Sequence, residues 1–216
     1  MPVAGLGLPA IGLTVIRLFL GFLWFQQILW KLPPSFGCND KGLNYDRTID
    51  PSLLDEANGL SGLCDWVVRE ANNTNNFPGF GWFPGFVQNF VVPNFGFFAW
   101  STVFIETFLA VSLILGVFTR LGGLVGTLFA INLFGGLTGL PKEEWPWIYG
   151  QLILLNGVFL VLGSRMQYSV DMLLDKLYKG WIAKGGFLGF LGKFFTPAPK
   201  STGKEASPVS NSTVLE

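Results

Sequence analysis

The sequence predicts an all-α integral membrane protein: a bundle of four transmembrane helices, a long outer loop between the first and second, and an amphipathic C-terminal segment. Three observations predict it. Half of the 216 residues are hydrophobic and 13% are charged, where a soluble domain carries about a quarter charged residues. Four apolar runs, 8–30, 97–118, 121–140 and 145–163, each hold about 20 residues, the length of a helix across a ~30 Å hydrocarbon core. Within those runs only Arg17 and Glu106 carry an ionisable charge.

The first run, 8–30, lacks a basic leader and a small-residue cleavage site, so it is read as a retained helix rather than a secretory signal. Trp24, Trp30 and Lys31 suit an interfacial anchor at its end. Gln26 and Gln27 lie just before that anchor. Arg17 lies inside the run, where a lone charge costs at least roughly 2.5–3.5 kcal/mol and normally finds a partner or lines a polar cavity.

The outer loop, about 31–96, is too long for a structureless connector. Asp50-Pro51 reads as a cap and first position of a short helix that stops at Gly59. Ser61 caps a second helix, with Leu63, Trp66, Val67 and Glu70 at helical spacing. Cys38 and Cys64, the only cysteines, both fall in this loop, and an oxidising outer compartment favours a disulfide between them. It is either a structural staple or a redox-active pair. Residues 77–98 hold eight Phe and one Trp. Phe77-Pro78-Gly79-Phe80 recurs there as Phe83-Pro84-Gly85-Phe86, two turn-forming units. So aromatic a segment either anchors at the interface or folds over the bundle as a lid.

The second run carries Glu106, and Arg120 sits in the tight turn that follows. The third carries Asn132. Lys142, Glu143 and Glu144 separate it from the fourth, which carries Tyr149, Gln151 and Asn156. Residues 170–181 form one amphipathic helix with Val170, Leu173, Leu174, Leu177, Tyr178 and Trp181 on its apolar face. Residues 185–195 read as a membrane-surface segment, and the tail from Thr196 as disordered. Domain organisation is thus a membrane unit over 1–184, followed by the interfacial segment and tail over 185–216.

Charge sets the orientation. Residues 164–216 hold seven Lys/Arg and four acids, whereas 31–96 hold four basic and seven acidic residues. Basic excess marks the cytoplasmic side, so both termini face the cytoplasm and the 31–96 loop faces out.

A rise of about 1.5 Å per residue from the cytoplasmic end places Arg17 at about 13 Å, Glu106 and Gln151 at about 18 Å, Asn132 at about 16 Å and Asn156 at about 10 Å. Gln26, Gln27 and Tyr149 lie above them. Two readings follow: an Arg17–Glu106 ion pair with amide helpers that ties the helices together, or a polar pocket for a substrate or quinone headgroup, with Glu106 exchanging protons. The chain contains no histidine, which excludes a bis-His haem. Two distant cysteines cannot alone hold an iron–sulfur cluster, and no phosphate-binding glycine loop appears.

Three stretches read together carry a resemblance. They are Val15-Ile16-Arg17-Leu18 with Trp30-Lys31-Leu32; Phe104-Ile105-Glu106-Thr107 with Gly116-Val117-Phe118-Thr119-Arg120; and the closing Gly163-Ser164-Arg165-Met166-Gln167-Tyr168-Ser169-Val170-Asp171. Over about residues 10–175 the chain resembles the DoxX superfamily of four-helix membrane proteins, and its long Trp-, Pro- and Phe-rich loop is more similar to the DoxD branch. That resemblance implies a membrane subunit of thiosulfate:quinone oxidoreductase. Thiosulfate would be oxidised to tetrathionate at the outer face, and electrons would pass to quinone, a diffusible substrate, with a second protein subunit as partner. It implies Glu106 as proton carrier and Arg17 as the group that binds a quinone carbonyl or stabilises a reduced quinone. Lys31, Lys41, Arg47 and Arg69 are the cations available outside for the thiosulfate dianion. The paired cysteines and the extended tail depart from the family pattern. They leave open a non-catalytic subunit of a respiratory or photosynthetic complex, and a thiol–quinone relay through Cys38 and Cys64.

Overall fold

The computed structural model describes residues 8–39, 48–49, 60–75, 77–140, 146–163 and 168–195, and among them every regular element is helical. The expected helix over 50–59, Lys41, Arg47, the 142–144 loop charges, Arg165 and the tail from Thr196 lie outside the described residues. In chain order the helices are α1 (Leu8–Leu29), α2 (Gly62–Ala71), α3 (Phe83–Phe86) continuing into a π-helical turn (Val87–Val91), α4 (Phe95–Leu115) and α5 (Thr119–Leu137). They are followed by α6 (Pro146–Leu162), α7 (Val170–Leu173), α8 (Asp175–Lys184) and α9 (Gly186–Phe195).

Three helices are long and apolar enough to cross a membrane: Ala10–Leu29, Phe95–Leu115 and Thr119–Leu137. The expected fourth span is α6, an apolar helix of 17 residues, about 26 Å long. Only 28% of the α1 span is buried inside the protein, so its outer face of Val15, Phe19 and Phe22 is left for lipid. The protein is therefore compatible with an all-α membrane fold.

Packing follows side-chain size. Helix α5 offers buried Gly123 and Gly126 to α6, which packs directly on them, while buried Gly122 faces Ser112 of α4. A Cβ at Gly123 would run into the α6 backbone at Asn156 and Phe159, so only glycine permits this approach. Helix α4 ends at Gly116, which adopts a left-handed conformation (φ +68°) and turns the chain into α5 within four residues.

Three local expectations change. Phe77-Pro78-Gly79-Phe80 makes a turn, closed by Phe80 N–H on the Phe77 carbonyl at 2.9 Å. Its repeat, Phe83-Pro84-Gly85-Phe86, instead begins a helix, because proline at the first turn loses no intrahelical hydrogen bond. Ser61 precedes α2, but its hydroxyl donates to the Gly37 carbonyl at 2.9 Å rather than capping the helix, fastening α2 to the chain beyond α1. The amphipathic stretch 170–181 breaks at Leu174 into α7 and α8, because Asp171 is drawn inward while Tyr178 and Phe195 fill a core between α8 and α9.

Candidate functional site

Helix register decides which charges meet. A Cβ on Gly21 would lie 2.8 Å from Ile114 Cγ1, so α1 and α4 run antiparallel with Gly21 opposite Ile114. Ten residues on, Lys31 reaches Glu106 and its ammonium donates to Oε1. Arg17 lies in the other direction, against Gly116, on the order of 15 Å along the helix from Glu106. The expected Arg17–Glu106 pair is therefore not formed. The first turns of α1 overhang the end of α4, so counting each helix from its own end placed the two charges at one depth when they belong to opposite ends.

Lys31 and Glu106, both at least 95% buried, sit in the wall of a cavity of about 600 Å³. The wall draws on α1 (Trp24, Gln27), the turn after it (Trp30), α2 (Leu63, Trp66, Val67, Glu70), the 83–98 segment, and α4, α5 and α6. Phe83, Phe86, Val91, Phe95 and Phe98 line one side, so the aromatic segment covers the cavity. Gln27, Trp30, Phe86 and Asn132 keep exposed surface, which leaves a mouth. Helix α2 is held in place by three ties: the Cys38–Cys64 disulfide, Gln88 donating to the Ala71 carbonyl at 2.8 Å, and Asn73 donating to the carbonyls of Gly136 and Thr138 at 2.9 and 3.0 Å.

The electrostatics are unbalanced. One ammonium, Lys31, faces two acidic side chains, Glu106 beside it and Glu70 further off. Burial holds the Lys31 ammonium below its ordinary pKa, opposed by Glu106 and then by Glu70. Glu70 keeps some exposed area, but its carboxyl is desolvated by the wall around it and its pKa is pushed up to about 8, with Lys31 opposing. Two polar atoms of the wall, Glu106 Oε2 and Trp24 Nε1, are buried with no hydrogen-bond partner among the described residues. One accepts, the other donates, and leaving such atoms unmatched costs about 1–3 kcal/mol each. A ligand presenting both functions would satisfy them.

Arg17 belongs to a second cluster. Its Nη2 donates to the Tyr168 carbonyl at 2.9 Å, and the Asp171 carboxylate lies within its field. Asp171 accepts from the backbone N–H groups of Phe118 (2.7 Å) and Thr119 (2.9 Å), at the start of α5, and from the Tyr178 hydroxyl (2.8 Å). A carboxylate at a helix N-terminus is favourable on both hydrogen-bond and dipole grounds. Burial, the hydrogen bond to Asp171 and its charge hold the Tyr178 phenol well above its usual pKa. Arg120 adds to the same end, donating to the carbonyls of Leu160 (3.0 Å) and Phe194 (2.7 Å) and lying 4.6 Å from the Phe194 ring centre.

Of the residues singled out from sequence, Glu106, Gln27, Lys31, Asn132 and Tyr149 line the cavity. Arg17, Gln26, Gln151 and Asn156 do not. Asn156 is fully buried in the α5–α6 seam and donates to the Leu152 carbonyl at 2.7 Å, while Gln26 and Gln151 point outward. Arg69 pairs with Asp65 one turn away on α2, at 3.0 Å. The sequence reading missed Glu70 and Asp171 as site residues. Glu70 had a signal, being the one acid in the Leu63–Trp66–Val67 stripe. Asp171 had none beyond its place in the closing motif. Among the described residues no three His, Cys, Asp or Glu side chains gather as a metal site. Comparison with protein-family models, curated proteins and solved structures finds no match to this chain.

Proposed function

We propose that the cavity receives a quinone headgroup, and that the chain is a four-span membrane subunit of a quinone-linked sulfur oxidoreductase. The observation that carries it is the mismatch in the cavity wall: an unpartnered carboxylate oxygen on Glu106 and an unpartnered indole N–H on Trp24, beside a buried ammonium and surrounded by aromatic rings. A quinone ring suits the aromatic wall, and its two carbonyls accept from Trp24 and Lys31. On reduction the quinone takes two electrons and two protons, and the quinol hydroxyl then donates to Glu106. Two thiosulfate ions joining as tetrathionate release the two electrons that balance this step. Thiosulfate as donor follows from the DoxD resemblance alone.

In this reading α6 is the fourth span, the basic C-terminal region lies in the cytoplasm, and the 31–96 loop lies outside the cell membrane. Arg17 takes no part at the quinone, since it sits against Gly116 at the end of α4, on the order of 15 Å along the helix from Glu106. A second protein subunit supplies the remainder of a thiosulfate site. One observation favours a second reading: the Cys38–Cys64 bond closes directly beside Leu63 in the cavity wall, where a thiol pair could itself reduce the quinone and become the disulfide.

The test is titration of purified protein with a short-chain quinone, followed by quenching of tryptophan fluorescence, since Trp24, Trp30 and Trp66 line the cavity. Saturable quenching that weakens at least tenfold in Glu106→Gln supports the reading. Unsaturable quenching, identical in the variant, overturns it. Thiosulfate-dependent quinone reduction then distinguishes the catalytic subunit from a purely structural one. Its loss in the Cys38→Ser/Cys64→Ser variant, with the fold intact, selects the relay.

A further inference from the structure

Glu106 is 1% exposed, yet quinone reduction consumes protons. Glu70 lies on α2, part of the outer loop rather than of a membrane-length helix, lines the same cavity, and keeps exposed area. We infer that Glu70 is the proton port of the cavity, exchanging protons with the outer phase and passing them by way of Lys31 to Glu106. This rests on the quinone reading of the cavity.

The placement of Glu70 is built by its neighbours. The end of α5 offers Gly136 where α2 crosses it, and a Cβ there would lie 2.7 Å from Glu70 Oε1. Asn73, three residues on, clamps this crossing through the Gly136 carbonyl. The carboxyl is therefore seated against bare backbone and directed at the cavity. Among the described residues the charged groups that face it are few. Lys31 attracts it, and Glu106 lies beyond Lys31. The 83–91 segment contributes no titratable side chain. Helix α5 carries only Arg120, at its far end, and α6 contributes the Tyr149 phenol to the cavity wall.

Glu70 is protonated at neutral pH and deprotonates near 8, which suits a group that must both hold and release a proton. Each turnover requires two protons. Starting from a Glu106 carboxylate paired with the Lys31 ammonium, Lys31 hands a proton to Glu106 and takes the Glu70 proton in its place. Glu106 protonates the quinone, and Glu70 is re-protonated from the outer phase before the second proton follows the same route. The sign of the linkage follows. A carboxyl whose folded pKa is raised stabilises the folded state at low pH, and that contribution is lost as pH rises from about 4.5 through about 8.

The experiment is an infrared titration of the purified protein between pH 5 and pH 10, with and without a short-chain quinone, comparing wild type with Glu70→Gln, Glu70→Asp and Gly136→Ala. The expected result is a carboxylic-acid band lost near pH 8 in wild type, missing in Glu70→Gln, and perturbed by quinone. Gly136→Ala shifts the band, because it displaces the carboxyl without removing it. Quinone turnover in Glu70→Gln falls at least tenfold and no longer declines through pH 8, while Glu70→Asp restores part of both. A Glu70→Gln protein that titrates as wild type overturns the port and leaves the quinone site standing. A band that titrates as expected but ignores quinone overturns the quinone reading, and the port with it.

Discussion

The two ends of the bundle hold the same ingredients and use them differently. At one end Arg17, Asp171 and Tyr178 meet the start of α5; at the other Lys31, Glu106 and Glu70 meet across a cavity. Asp171 accepts three hydrogen bonds from two chain segments, and the rings of Phe118, Tyr178 and Phe195 pack on one another at centre distances of 5.0–6.3 Å. Glu106 has one partner and one empty oxygen facing a cavity of about 600 Å³. A buried charge that is fully hydrogen-bonded and tightly packed serves structure. A buried charge with an open valence beside empty space is available to a ligand.

The comparison breaks most readily at Asp171. Asp171→Ala strands two backbone N–H groups, the Tyr178 hydroxyl and Arg17 together. It is expected to cost about 3–5 kcal/mol, read as thermal unfolding in detergent, with quinone quenching unchanged in the folded remainder. Equal losses of stability and quinone binding would mean that the two ends are coupled. Opening the disulfide comes next. With the cysteines 26 positions apart, Cys38→Ser/Cys64→Ser is expected to lose about 3 kcal/mol and to loosen α2. Proteolysis within 60–75 should then accelerate relative to the C-terminal helices.

Lys31→Met is the smaller counterpart of Asp171→Ala. It leaves Glu106 unpaired beside a cavity that can admit water, so the cost is about 1–3 kcal/mol. The double variant Lys31→Met/Glu106→Gln should regain stability over Lys31→Met, while both bind quinone at least tenfold more weakly. A double variant that melts at the sum of the two single losses would show that the pair is not coupled. Smallest is Tyr178→Phe, which removes one hydrogen bond to a carboxylate that retains two others. About 1 kcal/mol is expected, with no change at the cavity.

Legibility in the sequence followed the range of the interaction. The apolar runs and the amphipathic face of α2 are local patterns: each forms a helix, and three of the four runs form helices of membrane length among the described residues. Glu106 and Lys31 stood out because a charge within or beside an apolar run is conspicuous. Pairing was not legible. Arg17 and Glu106 seemed natural partners because each was alone in its run, yet the overhang of α1 beyond α4 separates them. The break at Leu174 was hidden for a similar reason: the periodicity continues through it, and only the burial of Asp171 under α5 stops the helix.

By itself, then, the sequence determined that this chain forms apolar helices of membrane length, joined by an aromatic, cysteine-bearing loop, with a very small number of buried charges. That information resides in composition and periodicity, and no distant contact is needed to express it. The tertiary structure alone decided which charge meets which and where the empty space lies. It set the offset between α1 and α4 through the close approach at Gly21, and it laid α2 across Gly136 at the end of α5. Those choices are made by the fit of two surfaces, and a one-turn slip, invisible in either helix alone, would have joined different side chains.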